Sequence, residues 1–169
     1  ISQNSTFSRS DARLLIAQKR ILLDGVAADS IQQKVTEFSH VVLDGCCLQN
    51  KTPVYIMLNK PRGVVSATKD SEHPTVLDLI EHPPRHELHI AGRLDFNTTG
   101  LMLLTNDGAW SRKISLPESK LVKTYEVTLS WPLSDAYIAE FQQGIYFAYE
   151  GITTQPAHLE ILSRYAARL

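Results

Sequence analysis

The amino-acid sequence predicts an α+β protein in which a small N-terminal module precedes a larger domain built on a mixed or antiparallel sheet. Three observations lead there. Strand-like runs outnumber helical ones and follow one another through short links, which favours antiparallel pairing over a doubly wound sheet. Two Asp-Gly pairs, Asp24-Gly25 and Asp44-Gly45, sit between apolar runs, and a tight type I′ turn needs positive φ at both of its central residues. Gln49 to Pro53 interrupts the pattern with polar residues and a proline, and reads as a linker. The expected organisation is a module over 1–48, a linker over 49–53 and a sheet domain over 54–169.

The elements follow in order. Ser8 is placed to cap a helix, with Asp11 three residues on to complete a capping box and Ala12, Leu15 and Ile16 on one face. Ile21–Leu23 with Val26–Ala28, and His40–Leu43 with Cys46–Leu48, form the two hairpins. Val54 to Leu58 is a strand ending in the turn Asn59-Lys60-Pro61-Arg62-Gly63, and Val64 to Ala67 is a second strand. Pro74-Thr75 opens a short helix through Ile80, stopped by His82-Pro83-Pro84. Leu88 to Ile90 is a strand, Ala91 to Gly100 a loop, Leu101 to Leu104 a fully buried strand and Trp110 to Ser115 a helical turn. Lys120 to Leu129 reads as one long strand, Ser134 caps a helix through Gln143, and Ile145–Phe147 and His158–Leu162 return to strand.

Composition sets the outer limits. A chain of 169 residues with 43% apolar content can bury a proper core, which excludes disorder for its bulk. Lys and Arg number 17 against 18 Asp and Glu, a net charge of -1, so any nucleic-acid surface must come from local patches. No window approaches the roughly 18 apolar residues of a membrane span, and no signal-peptide pattern opens the chain, so a cytoplasmic protein without a membrane partner is expected. The two cysteines, Cys46 and Cys47, are adjacent, poorly placed to bridge each other and too few for zinc. The six histidines lack metal-ligand spacing, and the tightest group, His82, His86 and His89, reads as surface or packing residues. No metal and no cofactor are expected. The chain opens on Ile1 and ends without a cap after Arg164, which reads as a fragment at both ends.

Three cationic clusters stand out against the balanced total. Arg9, Arg13, Lys19 and Arg20 face only Asp11; Lys60, Arg62 and Lys69 face no acid between them; Arg112, Lys113, Lys120 and Lys123 face only Glu118. Each nets about +3 and is either a solvated surface or a phosphate-contacting edge. The most unusual stretch is Gly92-Arg93-Leu94-Asp95-Phe96-Asn97-Thr98-Thr99-Gly100. Glycine at either end permits tight turns, and Asp95 beside Arg93 is either a turn residue or a carboxylate kept ionised by its neighbour. No carboxylate pair of glycosidase type, nucleophile elbow or phosphate-binding glycine loop occurs.

Four separated motifs carry a resemblance. Met57-Leu58-Asn59-Lys60-Pro61-Arg62-Gly63, His73-Pro74-Thr75-Val76-Leu77, Ala91-Gly92-Arg93-Leu94-Asp95 with Thr98-Thr99-Gly100-Leu101, and Lys123-Thr124-Tyr125-Glu126-Val127 stand in the order and spacing of the bacterial ribosomal pseudouridine synthases. His-Pro-Thr-Val-Leu and Thr-Thr-Gly-Leu resemble the small-subunit branch. Phe7 to Leu48 is similar to the small RNA-binding domain named after ribosomal protein S four. The resemblance implies an S4-like RNA-binding domain followed by a catalytic domain that isomerises one uridine of small-subunit ribosomal RNA. It makes Asp95 the essential carboxylate, attacking carbon six of the ring or assisting at the sugar.

The other roles follow from the same resemblance. Tyr125, on a strand adjacent to Asp95, would stack on the uracil and help remove the proton of carbon five, or else is a core strand tyrosine. Arg93 would fill the space left by a flipped base, hold a phosphate or form an ordinary ion pair. Gly92 and Gly100 would let backbone approach the nucleotide, and Thr98 and Thr99 would fix the loop through their hydroxyls. Lys60, Arg62 and Lys123 would meet substrate, and Arg9, Arg13, Lys19 and Arg20 would dock RNA. The expected partner is small-subunit ribosomal RNA or an assembling small-subunit particle, met by a monomer. The chain stops before a basic motif that follows the central sheet in relatives. That departure motivates the rival reading, a non-catalytic RNA-binding or ribosome-assembly factor on the same scaffold.

Overall fold

The computed structural model describes residues 6–81 and 85–169. The stop expected at His82-Pro83-Pro84 lies outside them. The chain divides into two compact units, one running to Ser119 and the other from Lys120 to Leu169.

The first unit opens with helix α1 (Arg9–Ala17). Ser8 accepts a hydrogen bond from the Asp11 backbone N–H, and Asp11 accepts one from the Ser8 N–H at 2.8 Å. The helix ends with Lys19 in the left-handed region (φ 59°), where Lys19 N–H reaches the Ile16 carbonyl and Arg20 N–H that of Leu15. Strands β1 (Ile21–Leu23), β2 (Val26–Ala27), β3 (Val41–Leu43) and β4 (Cys46–Gln49) form an antiparallel sheet in the order β2-β1-β3-β4. Both Asp-Gly turns take positive φ at each central residue, as expected: Asp24 52°, Gly25 84°, Asp44 50° and Gly45 81°. Leu15, Ile21, Ala28, Val41 and Leu43 close a small core of their own, and both cysteines are exposed and free.

A second core begins beyond the polar break. Strands β5 (Tyr55–Lys60), β6 (His89–Ala91) and β7 (Gly100–Thr105) pair antiparallel in the order β5-β7-β6. Helix α2 (Gly108–Ser115) starts where Asp107 accepts from the Trp110 N–H at 2.9 Å. Val64, Val76, Leu77, Ile80, Leu88, Met102 and Leu104 pack together, each burial worth about 1.5–3 kcal/mol before the entropy of ordering is counted. Lys51 bridges the two regions through Glu37 at 3.6 Å and Glu87 at 3.0 Å.

Four expectations are corrected here. β5 runs on to Lys60, so Asn59 and Lys60 are strand rather than turn. Val64–Ala67 is no strand, because its backbone is engaged by the 74–76 segment: Val65 N–H meets the Pro74 carbonyl and Val76 N–H the Val65 carbonyl, both at 3.0 Å, in a single parallel bridge to Thr75. The stretch Leu101–Leu104 is buried on alternate residues only, with Leu101 exposed and Met102 and Leu104 sealed. The expected short helix is a 3₁₀ turn over Val76–Leu79, whose Asp78 carboxylate accepts from the Thr75 N–H and hydroxyl.

The second unit holds β8 (Glu126–Thr128), α3 (Ala136–Gln143), β9 (Tyr146–Phe147), β10 (Ile152–Thr153), β11 (Glu160–Ser163) and β12 (Ala166–Arg168). β11, β12 and β8 form one antiparallel sheet, and β9 and β10 a hairpin. The long strand expected from Lys120 shrinks to β8. Lys120 turns into the left-handed region (φ 50°), and partner backbone reaches back only to the Tyr125–Leu169 pair. The domain expected over 54–169 therefore draws on both units.

Candidate active site

The loop from Gly92 to Gly100 is fixed through its backbone. Lys60 occupies the last position of β5 and alternates inward after Ile56 and Leu58, so its side chain points into the protein and is fully buried. Its ammonium lies among four carbonyl oxygens: Asp95 at 2.9 Å, Thr98 at 2.9 Å, Pro61 at 3.1 Å and Phe96 at 3.3 Å. A charge so placed is tolerable only because its donors are all engaged. From the other side Ser66 accepts from the Leu94 N–H at 3.1 Å and donates to the Leu94 carbonyl. Thr98 N–H closes a turn onto the Asp95 carbonyl at 3.0 Å, and Gly63 N–H meets Phe96 O at 3.0 Å.

These tethers hold the main chain and leave the side chain of Asp95 free. It is exposed, accepts no hydrogen bond among the described residues, and no described cation comes within 4.0 Å. The expected pairing with Arg93 is therefore absent, and Arg93 is itself exposed. Gly92 (φ 96°) sits where a side chain would meet nothing within 4 Å, so its glycine is required by backbone conformation rather than by space. His73 packs its ring edge-on to Phe96, centroids 4.8 Å apart. Asp70 accepts from the Glu72 and His73 N–H groups, which hold its carboxyl below the usual range and fix the His73 turn.

The remaining expected residues divide sharply. Lys60 is removed from the phosphate-contacting edge, because it is buried and bonded to the loop. Thr98 and Thr99 contribute no described hydroxyl bonds; the loop is held by Thr98 backbone atoms instead. Arg62 is exposed in the turn after β5. Arg9 and Arg13 are exposed on α1 with Lys19 just beyond it, whereas Arg20 is engaged in a two-pronged ion pair with Asp44 that raises its own pKa and lowers that of the carboxyl. Tyr125 and Lys123 belong to the second unit, both exposed, Tyr125 bonded through its backbone to Leu169. Ser66 was not singled out by its sequence context, a small polar residue in an apolar run. Lys60 could have been placed by extending the two-residue alternation Ile56, Leu58 by one step. Among the described residues no group of three or more His, Cys, Asp or Glu side chains is arranged to hold a metal.

Comparison with known proteins identifies the family. Residues 54–159 match the family model described as RNA pseudouridylate synthase. The chain is 48% identical over 163 residues to ribosomal small subunit pseudouridine synthase A of Pseudomonas aeruginosa, covering 96% of this chain and 71% of that one. It is 41% identical over 170 residues to the protein of the same name from Escherichia coli, covering all of this chain and 74% of the relative. A crystal structure of a pseudouridylate synthase superposes with a TM-score of 0.65 at 36% identity, covering 99% of this chain and 73% of the other. With a family model over residues 54–159 and relatives of this similarity over nearly all of its length, the chain belongs to the RNA pseudouridylate synthase family and groups with the ribosomal small subunit pseudouridine synthases A.

Proposed function

We propose that the chain converts a uridine of small-subunit ribosomal RNA to pseudouridine, with Asp95 as the essential carboxylate. The observation that carries this reading is the pairing of an immobilised loop backbone with an exposed, unpartnered Asp95 side chain. A group that must meet a reacting centre gains most when its position is set before substrate arrives. The isomerisation breaks the bond from ribose to N1 and forms one to carbon five; the carbon-five proton leaves and N1 ends protonated. It needs no redox partner. Asp95 attacks carbon six of the ring or assists at the sugar, and its ionised form serves in both routes.

The target base must leave its stack, at a cost of a few kcal/mol that contacts elsewhere offset. In this reading residues 1–48 form an S4-like RNA-binding domain whose Arg9, Arg13 and Lys19 meet phosphates, and 54–169 form the catalytic domain. Tyr125 supplies an aromatic face to the uracil, and Arg62 and Lys123 meet the RNA. Tritium release from small-subunit RNA taken from cells lacking the enzyme tests the assignment. Asp95→Asn should abolish release while RNA affinity changes by less than about tenfold, roughly 1.4 kcal/mol. Equal release from both chains would remove Asp95 from the reaction.

A further inference from the structure

Three cations that lie far apart in the sequence meet on one concave surface of the first unit. Lys69 follows the Ser66 strap, Arg93 lies on the Asp95 loop and Arg112 stands in the last turn of α2; together they line an open groove of about 640 Å³. Ser111, Ser115 and Thr68 add hydroxyls to its walls, and no carboxylate lines it. All three cations are exposed, and no described acid comes within 4.0 Å of any of them. The contrast is with Arg20, Lys51 and Arg168, each neutralised by at least one carboxylate. Three like charges gathered without a counter-ion repel one another, so the surface is electrostatically incomplete until an anion arrives.

We propose that this groove seats the phosphodiester backbone of the RNA strand that carries the target uridine. Guanidinium, ammonium and hydroxyl donors together match phosphate oxygens, and the hydroxyls can also exchange hydrogen bonds with ribose 2′-OH groups. Position selects RNA over a free anion. Arg93 is two residues from Asp95, at most about 7 Å along the chain. A strand that delivers its base to Asp95 therefore runs its phosphates past Arg93 and on towards α2. Lys113, next to Arg112 on the same helix, does not line the groove, so the expected Arg112–Lys113 edge contributes through Arg112 only. The inference rests on the proposed uridine chemistry for the identity of the strand, but its test does not use turnover.

Equilibrium binding of a small-subunit RNA fragment to the full chain, followed by fluorescence anisotropy over a salt series, decides it. Lys69→Gln and Arg112→Gln should each lower the slope of log K against log salt by about 0.7–0.9, and the double variant should weaken binding roughly tenfold or more. Arg85→Gln, which deletes an exposed charge elsewhere on the same body, should leave slope and affinity as they were. Arg112→Lys keeps the charge and should retain the slope, which separates charge loss from a folding defect. If the double variant binds with the affinity and slope of the unsubstituted chain, the groove does not hold RNA. Tritium release with groove-independent affinity would end this inference and leave the function standing; groove-dependent binding without release would do the reverse.

Discussion

The loop that bears Asp95 and the segment that bears Tyr125 are built to opposite specifications. The first is irregular backbone stitched to a buried ammonium, a serine hydroxyl and a core of sealed apolar residues. The second leads into a short strand, and all three β8 residues are exposed; in its unit only Leu159 and Ala167 among the apolar side chains are sealed. Regular secondary structure is thus a poor guide to rigidity. A loop whose carbonyls are engaged by a buried donor is more tightly defined than a strand with little beneath it.

The contrast breaks most directly at Lys60. Lys60→Met removes the donor shared by four loop carbonyls and leaves those of Pro61 and Thr98 without a described partner, and a loss of about 3–5 kcal/mol is expected in denaturant titration; an unchanged midpoint would mean the ammonium does not organise the loop. The counterpart in the second unit is Gly144→Ala. At φ 88° the new methyl would lie 2.5 Å from the Thr154 carbonyl oxygen, so about 1–3 kcal/mol should be lost. Amide exchange should quicken in residues 120–169 while the 92–100 loop keeps its protection, and matching acceleration in the loop would contradict the separation.

Smaller effects sharpen the same comparison. Ser66→Ala removes both hydrogen bonds to Leu94 and should cost about 1–2 kcal/mol, read as a lower melting midpoint. Acid should act through the first unit's caps. Asp107, bonded chiefly to the Trp110 N–H, and Asp78, bonded chiefly to the Thr75 N–H, both have carboxyls held below their usual values. Groups depressed in the folded state contribute fully above the unfolded value near 4, and the contribution is lost as pH falls through the folded value. The melting midpoint should accordingly be flat with respect to these groups from pH 7 to 5 and decline below about pH 4. Asp107→Asn should reduce that decline, and an identical acid profile would exclude the cap as a contributor. Tyr125→Phe should be the mildest, within about 0.5 kcal/mol in thermal unfolding, since the ring is exposed; a larger loss would show that the ring is held more firmly than its surroundings suggest.

Local chemistry was legible in the sequence where it acts over a few residues. Ser8 with Asp11 and the two Asp-Gly turns announce themselves through short spacing. The Asp95 loop was legible as a motif, but what fastens it was not. Lys60 and Ser66 lie 35 and 28 residues from the loop atoms they hold, and a charge count cannot tell a cation turned inward from one facing water. The same blindness counted Arg20 as free when Asp44 engages it. It also divided Lys69, Arg93 and Arg112 among separate stretches that folding brings together. The strand from Lys120 failed for a related reason: alternation specifies two faces, while extent is set by how far a neighbouring chain runs alongside.

Because the amine of Lys60 is enclosed by carbonyl oxygens, an acylating reagent in solution can reach it only when the loop comes undone. Its labelling rate beside that of exposed lysines such as Lys69 would serve as a clock for that event, timing how often the aspartate-bearing bend is unmade in the resting protein.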